Sequence, residues 1–234
     1  MDTPSIDRWP GVGSESSRSR ADSRTRYEDT VLSLVDALAL RATGWVAPIQ
    51  FRLAETDADR EAIFRLRGAV VVEKGWMRPD ELADGLETDE FDEDAVLIGA
   101  WEEGRLVATS RLLFPRPGLL LPTEAAYAIE VEPRGQVVDA GRFAIAREYT
   151  SLGHRLLAAL VARTWMEVRA RGFKVVTAAF ASGPMMRVYE RMGLKMTVLA
   201  PARRYWGEDR YPIRFDVVGA VPRLFERWAN PASE

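Results

Sequence analysis

Between about residues 50 and 218, the apolar residues of this chain alternate between the spacing of a strand and that of a helix. They predict a strand, a helix and a hairpin, followed by strands and helices in alternation. A doubly wound nucleotide-binding fold would instead repeat one strand and one helix throughout. The pattern therefore predicts an α+β fold built on a mixed, mostly antiparallel sheet.

The bounds of these elements follow from the apolar patterns and from turn residues. Thr56 is placed to cap the first helix of this region, and Gly172 to end the second. A polar, acidic loop is expected over residues 74–94, and the hairpin turns at 102–104. The strands are expected at 49–53, 95–101, 106–114, 137–145, 174–180, 194–199 and 211–218, and the helices at 58–72, 151–171, 184–192 and 221–228.

The chain divides into a main domain and terminal appendages. Residues 1–26 are rich in Ser, Arg, Asp, Pro and Gly, and such a segment buries too little apolar surface to offset its ordering entropy, so we expect it to be disordered. Residues 27–45 form a helix and a linker. The main domain spans 46–220, and residues 221–234 form a final helix and tail.

Composition excludes several classes of site. A net charge of −3 provides no broad basic field for nucleic acid. The absence of cysteine excludes disulfides and thiolate chemistry, and His154 is the only histidine, so we expect no metal site. No run reaches the roughly 18 apolar residues of a membrane span, so a cytoplasmic location is expected.

Tyr189 lies four residues before Gly193, which ends a short predicted helix that leads into a strand. This arrangement resembles the YxxxG element of the GNAT acyltransferases. The resemblance implies a three-layer α/β/α domain in which Tyr189 protonates the departing thiolate of an acyl thioester. The alternative is a tyrosine that packs on the sheet, with Gly193 serving only to end the helix.

GNAT proteins bind the pyrophosphate of coenzyme A with backbone N–H groups at the start of a long helix. The matching turn, residues 147–155, keeps only Gly153 of the usual glycine pattern, and Arg155 follows in the first helical turn. The resemblance implies that Gly153 and Arg155 contact the acyl donor. Met185 either packs in the core or lines an acyl tunnel, because methionine adapts to irregular apolar ligands.

An ordered set of charged and aromatic residues resembles the acyl-homoserine-lactone (autoinducer) synthases and the related N-acyl amino acid synthases. Its members, which the resemblance implies are substrate-binding except for the acidic residue at 139, are Arg67, Trp76, Glu87, Asp89, Asp92, Arg111, Asp139 and Arg142. The acyl donor in these families is typically carried on acyl carrier protein, which accounts for the reduced coenzyme A turn. Val71, Asp139 and Tyr189 depart from the autoinducer pattern and favour either the N-acyl amino acid branch or a relative outside both branches.

Aminolysis of a thioester needs a base, and Asp139 is the first candidate, with Asp89, Asp92 and Glu87 as alternatives. A bulged strand near residues 138–143 could hold the thioester oxygen with backbone N–H groups, and Gly141 suits such a bulge. The acidic residues lie in a charge run, which is usually a solvated loop, although Phe91 within it indicates an anchored one.

Arg111 and Arg142 lie on predicted strands, where a buried arginine needs a partner. They either pair with these acids or contact the carboxylate of the substrate.

We therefore expect an N-acyltransferase that moves a medium or long acyl chain from acyl carrier protein or acyl-CoA to the amine of an amino acid or a related metabolite, without a tightly bound cofactor. The alternatives are an autoinducer synthase that uses S-adenosylmethionine, an acetyl-CoA-dependent GNAT enzyme and, last, a binding domain without turnover. The acyl length, the amine and the oligomeric state stay open.

Overall fold

The computed structural model describes residues 14–152, 154–181, 186 and 196–220. Within these ranges the helices are α1 (Ser14–Thr43), α2 (Asp57–Glu73), α3 (Pro122–Tyr127), α4 (His154–Ala170) and α5 (Val217–Ala220). The strands are β1 (Gln50–Leu53), β2 (Val96–Glu102), β3 (Arg105–Leu113), β4 (Val137–Ile145), β5 (Val175–Ala181), β6 (Thr197–Val198), β7 (Arg203–Tyr205) and β8 (Glu208–Asp216).

All of these strands belong to one sheet, in the order β1-β2-β3-β4-β5-β8-β6, with β7 also paired to β8. The β4–β5 pair is parallel, and every other pair among the described strands is antiparallel. The expected α+β fold with a mixed, mostly antiparallel sheet is thereby confirmed.

The middle of the sheet is interrupted in two ways. Pairing between β4 and β5 ends at Asp139 and Thr177, although both strands continue, so the sheet splits after this point. Along the other edge of β4, two residues lie opposite Ser110 of β3 and form a bulge. The expected bulge is present, but its left-handed residue is Arg142, with φ +53°, rather than Gly141.

One face of the sheet is covered by α1 and α4. Leu112 and Val138 on the strands join Leu156 and Leu160 of α4 in a core that also includes Val31 of α1. Buried apolar area of this kind is the main source of stability, at about 25 cal/mol per Å². The two helices are also joined by the Trp165 indole of α4, which donates a 2.9 Å hydrogen bond to Asp36 of α1. 

The other face carries α2. Its N-terminus is capped by Thr56, as the sequence predicts. The Thr56 hydroxyl accepts a hydrogen bond from the backbone N–H of Asp59, and the Asp59 carboxylate accepts one from the backbone N–H of Thr56. Farther along, a Cβ on Gly68 would lie 2.1 Å from the carbonyl oxygen of Gly85. Only glycine allows this close approach, which holds the loop after α2 against the helix.

Several expectations about the elements need correction. The helix α1 begins at Ser14, so residues 14–26 are helical where we expected disorder. Arg24 donates to Glu28 at 3.3 Å across one helical turn, and such contacts depend on the spacing of the residues, which composition does not reflect. The helix expected from residue 151 begins at His154, because a 3-10 turn over residues 147–152 precedes α4, and Leu152 in that turn is 41% exposed.

The sequence did not predict α3 or β7. Pro122 occupies the first turn of α3, where its missing N–H costs no hydrogen bond. The strand β7 has three residues, too few for a periodic pattern to be visible. The expected helices at 184–192, apart from Met186, and at 221–228 lie outside the described residues.

Candidate active site

The guanidinium of Arg67 is the centre of a buried ionic network on the α2 face of the sheet. Its terminal nitrogens donate to the two carboxylate oxygens of Asp92 at 2.7 and 2.9 Å, and its Nε donates to Glu87. The side chain of Arg67 is fully buried, and those of Glu87 and Asp92 are each 4% exposed. These groups therefore interact with one another instead of with solvent.

Two strand arginines complete this network. Arg111 of β3 donates to Asp89 and, at 3.0 Å, to Asp92. Arg142, on the β4 bulge, donates to Glu87 at 3.1 Å and to Asp89 at 2.7 Å. Three guanidinium groups thus face three carboxylates, and we call these six residues the ionic network: Arg67, Glu87, Asp89, Asp92, Arg111 and Arg142.

The neighbouring charges stabilise the ionised forms of Asp92 and Arg111. Burial by itself would raise the pKa of Asp92, but the hydrogen bonds from Arg67 and the charge of Arg111 outweigh it and lower that pKa. Burial likewise opposes the charge on Arg111, yet Asp89 and Asp92 raise its pKa above the ordinary value. The charges balance within the ionic network, so it carries no net charge of its own.

The loop that supplies the three acids is ordered by its own contacts. The backbone N–H of Asp89 donates to Asp92 at 2.9 Å, and that of Phe91 donates to Asp89 at 3.0 Å. Phe91 packs against a small apolar cluster that includes Leu113 and Val137. As its position in the charge run indicated, Phe91 anchors the loop, while Asp80 and Asp84 in the same run are exposed.

Asp139 lies apart from this network, at the point where β4 and β5 separate. It is 5% exposed, and its Oδ2 accepts a 2.8 Å hydrogen bond from the backbone N–H of Thr123 in the first turn of α3. Burial raises the pKa of Asp139, although the hydrogen bonds of Thr123 and the charges of Arg111 and Arg142 oppose that change. A buried carboxyl group with a raised pKa beside a break in the sheet is suited to accept a proton.

Trp76 lies under a hairpin that the sequence did not predict. Its ring is 5.0 Å from that of Trp206, which occupies the two-residue turn between β7 and β8 with Gly207. Both turn residues have positive φ, 48° and 79°, as a type I′ turn requires. A Cβ on Gly207 would lie 2.0 Å from Cγ of Trp76, so the indole packs directly on the backbone of the turn.

The hairpin also contacts the ionic network. The indole N–H of Trp206 donates to Glu87 at 3.3 Å, and the guanidinium of Arg142 lies 4.6 Å from the Trp206 ring. The Nη1 of Arg142 donates a 3.5 Å hydrogen bond to the hydroxyl oxygen of Tyr205. We call Trp76, Tyr205, Trp206 and Arg210 the aromatic cover, because Arg210 lies over both indoles, 5.0 Å from Trp76 and 5.5 Å from Trp206.

Sequence reasoning missed three members of the aromatic cover and the contact from Thr123. Of the arginines in this hairpin, Arg203 and Arg204 are exposed, but the side chain of Arg210 is only 12% exposed. The available signal was the glycine that follows Trp206, since an Xaa-Gly pair between short strands is typical of a two-residue hairpin.

On the acyl-donor side, Arg155 is among the described residues, whereas Tyr189, Gly153 and Met185 lie outside them. Arg155 is exposed in the first turn of α4, where a phosphate group could reach it. A surface groove of about 490 Å³ lies between α1 and α4, on the face of the sheet away from the ionic network.

The described part of the chain contains neither a metal-site cluster nor a membrane-spanning helix. No cluster of three or more His, Asp or Glu side chains there has the arrangement of a metal site. None of its helices combines the length and the apolar character that crossing a membrane would require.

Comparison with known proteins identifies both a family and a fold. The family model of the N-acyl amino acid synthase FeeM matches residues 62–210, which is more than half of the chain. That segment includes the whole ionic network, Asp139 and the aromatic cover. No curated protein matches the chain.

Three solved structures are similar at low identity. FeeM, an N-acyl amino acid synthase from uncultured soil microbes, is 16% identical over 72% of this chain and 91% of its own, with a TM-score of 0.57. BjaI, a CoA-dependent acyl-homoserine lactone synthase solved with SAM and isopentyl-CoA, is 23% identical over 74% and 83%, with a TM-score of 0.55. An acyl-CoA N-acyltransferase from Pseudomonas aeruginosa is 18% identical over 71% and 99%, with a TM-score of 0.50.

These similarities confirm the GNAT-like fold and the resemblance on which the sequence interpretation depends.

Proposed function

The chain belongs to the N-acyl amino acid synthase FeeM family and is an acyltransferase, and from that premise we propose that it forms N-acyl amino acids. It moves a medium or long acyl chain from a thioester of acyl carrier protein or coenzyme A to the amine of an amino acid or a related metabolite. The observation that carries this proposal is the buried, hydrogen-bonded Asp139 at the split between β4 and β5.

Asp139 serves as the base of the reaction, directly or through a water molecule. Its raised pKa makes it a better proton acceptor than an exposed carboxylate, and burial keeps solvent from competing. Its Oδ1 lies 3.8 Å from where a Cβ on Gly141 would be, so the absence of a side chain there leaves room beside the carboxyl group. An amine that enters the split meets this carboxyl group.

In the reaction, the acyl carbon exchanges its bond to sulfur for a bond to nitrogen. The amine nitrogen attacks the thioester carbonyl carbon, its proton passes to Asp139, and the carbon–sulfur bond breaks to leave an amide and a thiolate that takes up a proton. Beyond Asp139, no described strand pairs with the β5-facing edge of β4, so backbone N–H groups on that edge are available to the thioester oxygen. We assign the protonation of the thiolate to Tyr189 on the family resemblance alone.

The ionic network shapes the site and supplies no free charge to the acceptor. Each of its carboxylates is paired with arginine, so it has no surplus negative charge to bind a cationic group. Instead, Arg67, Arg111 and Arg142 shape the wall of the site by holding α2, β3 and β4 to one loop.

The donor side remains the less constrained half of the proposal. Gly153 is the only glycine kept from the coenzyme A turn, which favours a carrier-protein donor, and Arg155 is available to a phosphate in either donor. A cytoplasmic location and the roles of Gly153, Arg155 and Met185 are part of the same proposal.

The direct test offers acyl carrier protein and coenzyme A thioesters, from acetyl to palmitoyl, with pooled amino acids and S-adenosylmethionine, and identifies products by mass spectrometry. We expect N-acyl amino acids from medium or long donors. A homoserine lactone product would replace this proposal with autoinducer synthesis, and acetyl transfer alone would replace it with an acetyltransferase. No product from any donor would indicate a binding domain.

A further inference from the structure

Arg210 differs from the other buried arginines near the site in its partners. Arg67, Arg111 and Arg142 each bind two carboxylates of the ionic network. The Nε of Arg210 donates to the backbone carbonyl of Tyr205 at 3.0 Å, and its only acid among the described residues is Glu208, at 3.4 Å.

The contact with Glu208 compensates only weakly for the charge of Arg210. The Glu208 side chain is 42% exposed, so water screens its charge. None of the described residues accepts a hydrogen bond from the Nη1 of Arg210. A guanidinium has five N–H donors, so Arg210 retains donors for a further oxygen ligand.

The surroundings of Arg210 are apolar and cationic. Its guanidinium lies over the rings of Trp76 and Trp206, and Arg142 lies over the same Trp206 ring. Burial, together with the charge of Arg142, lowers the pKa of Arg210, whereas Glu208, Tyr127 and Tyr205 act in the opposite sense. An anion bound here would relieve this unfavourable charge in a site where water competes poorly.

The position of Arg210 fits the acceptor side of the reaction. Arg142 comes from β4 and Arg210 from β8, the strands that flank β5, so the aromatic cover bridges the split in the sheet. The short helix α3 connects the two sides: Thr123 holds Asp139, and the Tyr127 hydroxyl donates to the carbonyl of Arg210 at 2.7 Å. The backbone positions of Thr123 and Tyr127 differ by about 6 Å along the helix axis.

We propose that Arg210 binds the carboxylate of the amino acid acceptor, with the indoles of Trp76 and Trp206 as the walls of that subsite. Guanidinium and carboxylate match in shape and charge, and their charge-assisted hydrogen bonds are about twice as strong as neutral ones. This inference rests on the proposed function, because the carboxylate that Arg210 binds belongs to the amino acid whose amine is acylated.

The test compares Arg210→Gln with Arg204→Gln, an exposed arginine of the same hairpin that serves as the matched control. Two acceptors are used with one donor: the amino acid that gives the most product, and the amine that corresponds to it without its carboxylate. In Arg210→Gln we expect KM for the amino acid to rise about 10- to 100-fold, the effect of losing a charged hydrogen bond. KM for the amine should stay within about twofold, and Arg204→Gln should match the wild type with both acceptors.

Three results would overturn the inference: an unchanged KM for the amino acid, an equal rise for both acceptors, or a rise in KM for acyl-CoA that identifies a donor phosphate as the ligand. A measurement of amino acid binding in the absence of an acyl donor distinguishes failure of this inference from failure of the proposed function. Tryptophan fluorescence is titrated with each common amino acid in the wild type and in Arg210→Gln. Amino acid binding that needs Arg210, in a protein that transfers no acyl group, would reject the proposed function and keep this subsite.

Discussion

Arg67 and Asp92 form a two-point ion pair, 2.7 and 2.9 Å long, that joins the middle of α2 to the loop after it. Water cannot replace either side chain as a partner of the other, because the Arg67 side chain is fully buried and that of Asp92 is 4% exposed. The pair therefore sets the position of the acidic loop relative to α2 and to the strand arginines that bind the same acids.

Replacing Asp92 with Asn should destabilise the fold strongly. The variant removes one of the two carboxylates that pair with Arg67 and one of the two that pair with Arg111, and breaking such a buried network costs about 3–5 kcal/mol. Because the arginines lower the pKa of Asp92, its contribution is present above the ordinary value of 3.8 and is lost as the pH falls below it. Urea unfolding at pH 7 and pH 3 measures both effects, and Asp94→Asn, which removes an exposed pair with Arg116, should cost about 1 kcal/mol or less.

Asp139→Asn should abolish most turnover while keeping the fold. Asparagine retains an oxygen for the Thr123 N–H, but it cannot take a proton, so we expect kcat to fall about 10²-fold or more. Steady-state rates and circular dichroism test this, with Asp80→Asn on the surface as the control. Near-normal turnover in Asp139→Asn would exclude it as the base.

The pH dependence of turnover should reflect the raised pKa of Asp139. The base must be ionised, so kcat/KM should increase with pH through a midpoint above the ordinary value of 3.8. Burying this charge also costs stability as the pH rises through the folded pKa, so the Tm of Asp139→Asn relative to wild type should increase with pH. A midpoint at or below 3.8 would contradict the role of burial.

Gly207→Ala should disturb Trp76, whereas Gly104→Ala should not. Both glycines occupy the second position of two-residue turns with positive φ, 79° and 81°, so both variants strain the backbone by roughly 1–2 kcal/mol. Only at Gly207 does the added Cβ meet an indole; nothing lies within 4 Å of it at Gly104. Tryptophan fluorescence and KM for the acceptor should change in Gly207→Ala alone.

Gly68→Ala should separate α2 from the acidic loop. The new Cβ would lie 2.1 Å from the Gly85 carbonyl oxygen, and a backbone atom can move away only if the loop shifts, which costs about 1–3 kcal/mol. Gly44→Ala, with nothing within 4 Å, is the control. If both variants unfold at the same urea concentration as the wild type, the contact does not constrain the loop.

Local patterns determined most of the secondary structure. Helix α2 and its Thr56 cap, the β2–β3 hairpin and strand β4 follow from periodicity and capping, which depend on residues a few positions apart. The residue set that resembles the acyltransferases also brought Arg67, the three acids, Arg111 and Asp139 into consideration before any contact was known. The sequence by itself therefore determined the fold class and the candidate residues.

Only the tertiary structure decided how those residues are used. The ionic network joins residues 19 to 55 positions apart, and no local pattern shows that its arginines and acids satisfy one another. Trp206 and Arg210 became part of the site because a three-residue strand folds back over Trp76, across 130 positions of chain (206 − 76). Whether a charge is exposed, paired or left for a substrate depends on these distant neighbours, since burial and dielectric are properties of the packed structure rather than of the residue.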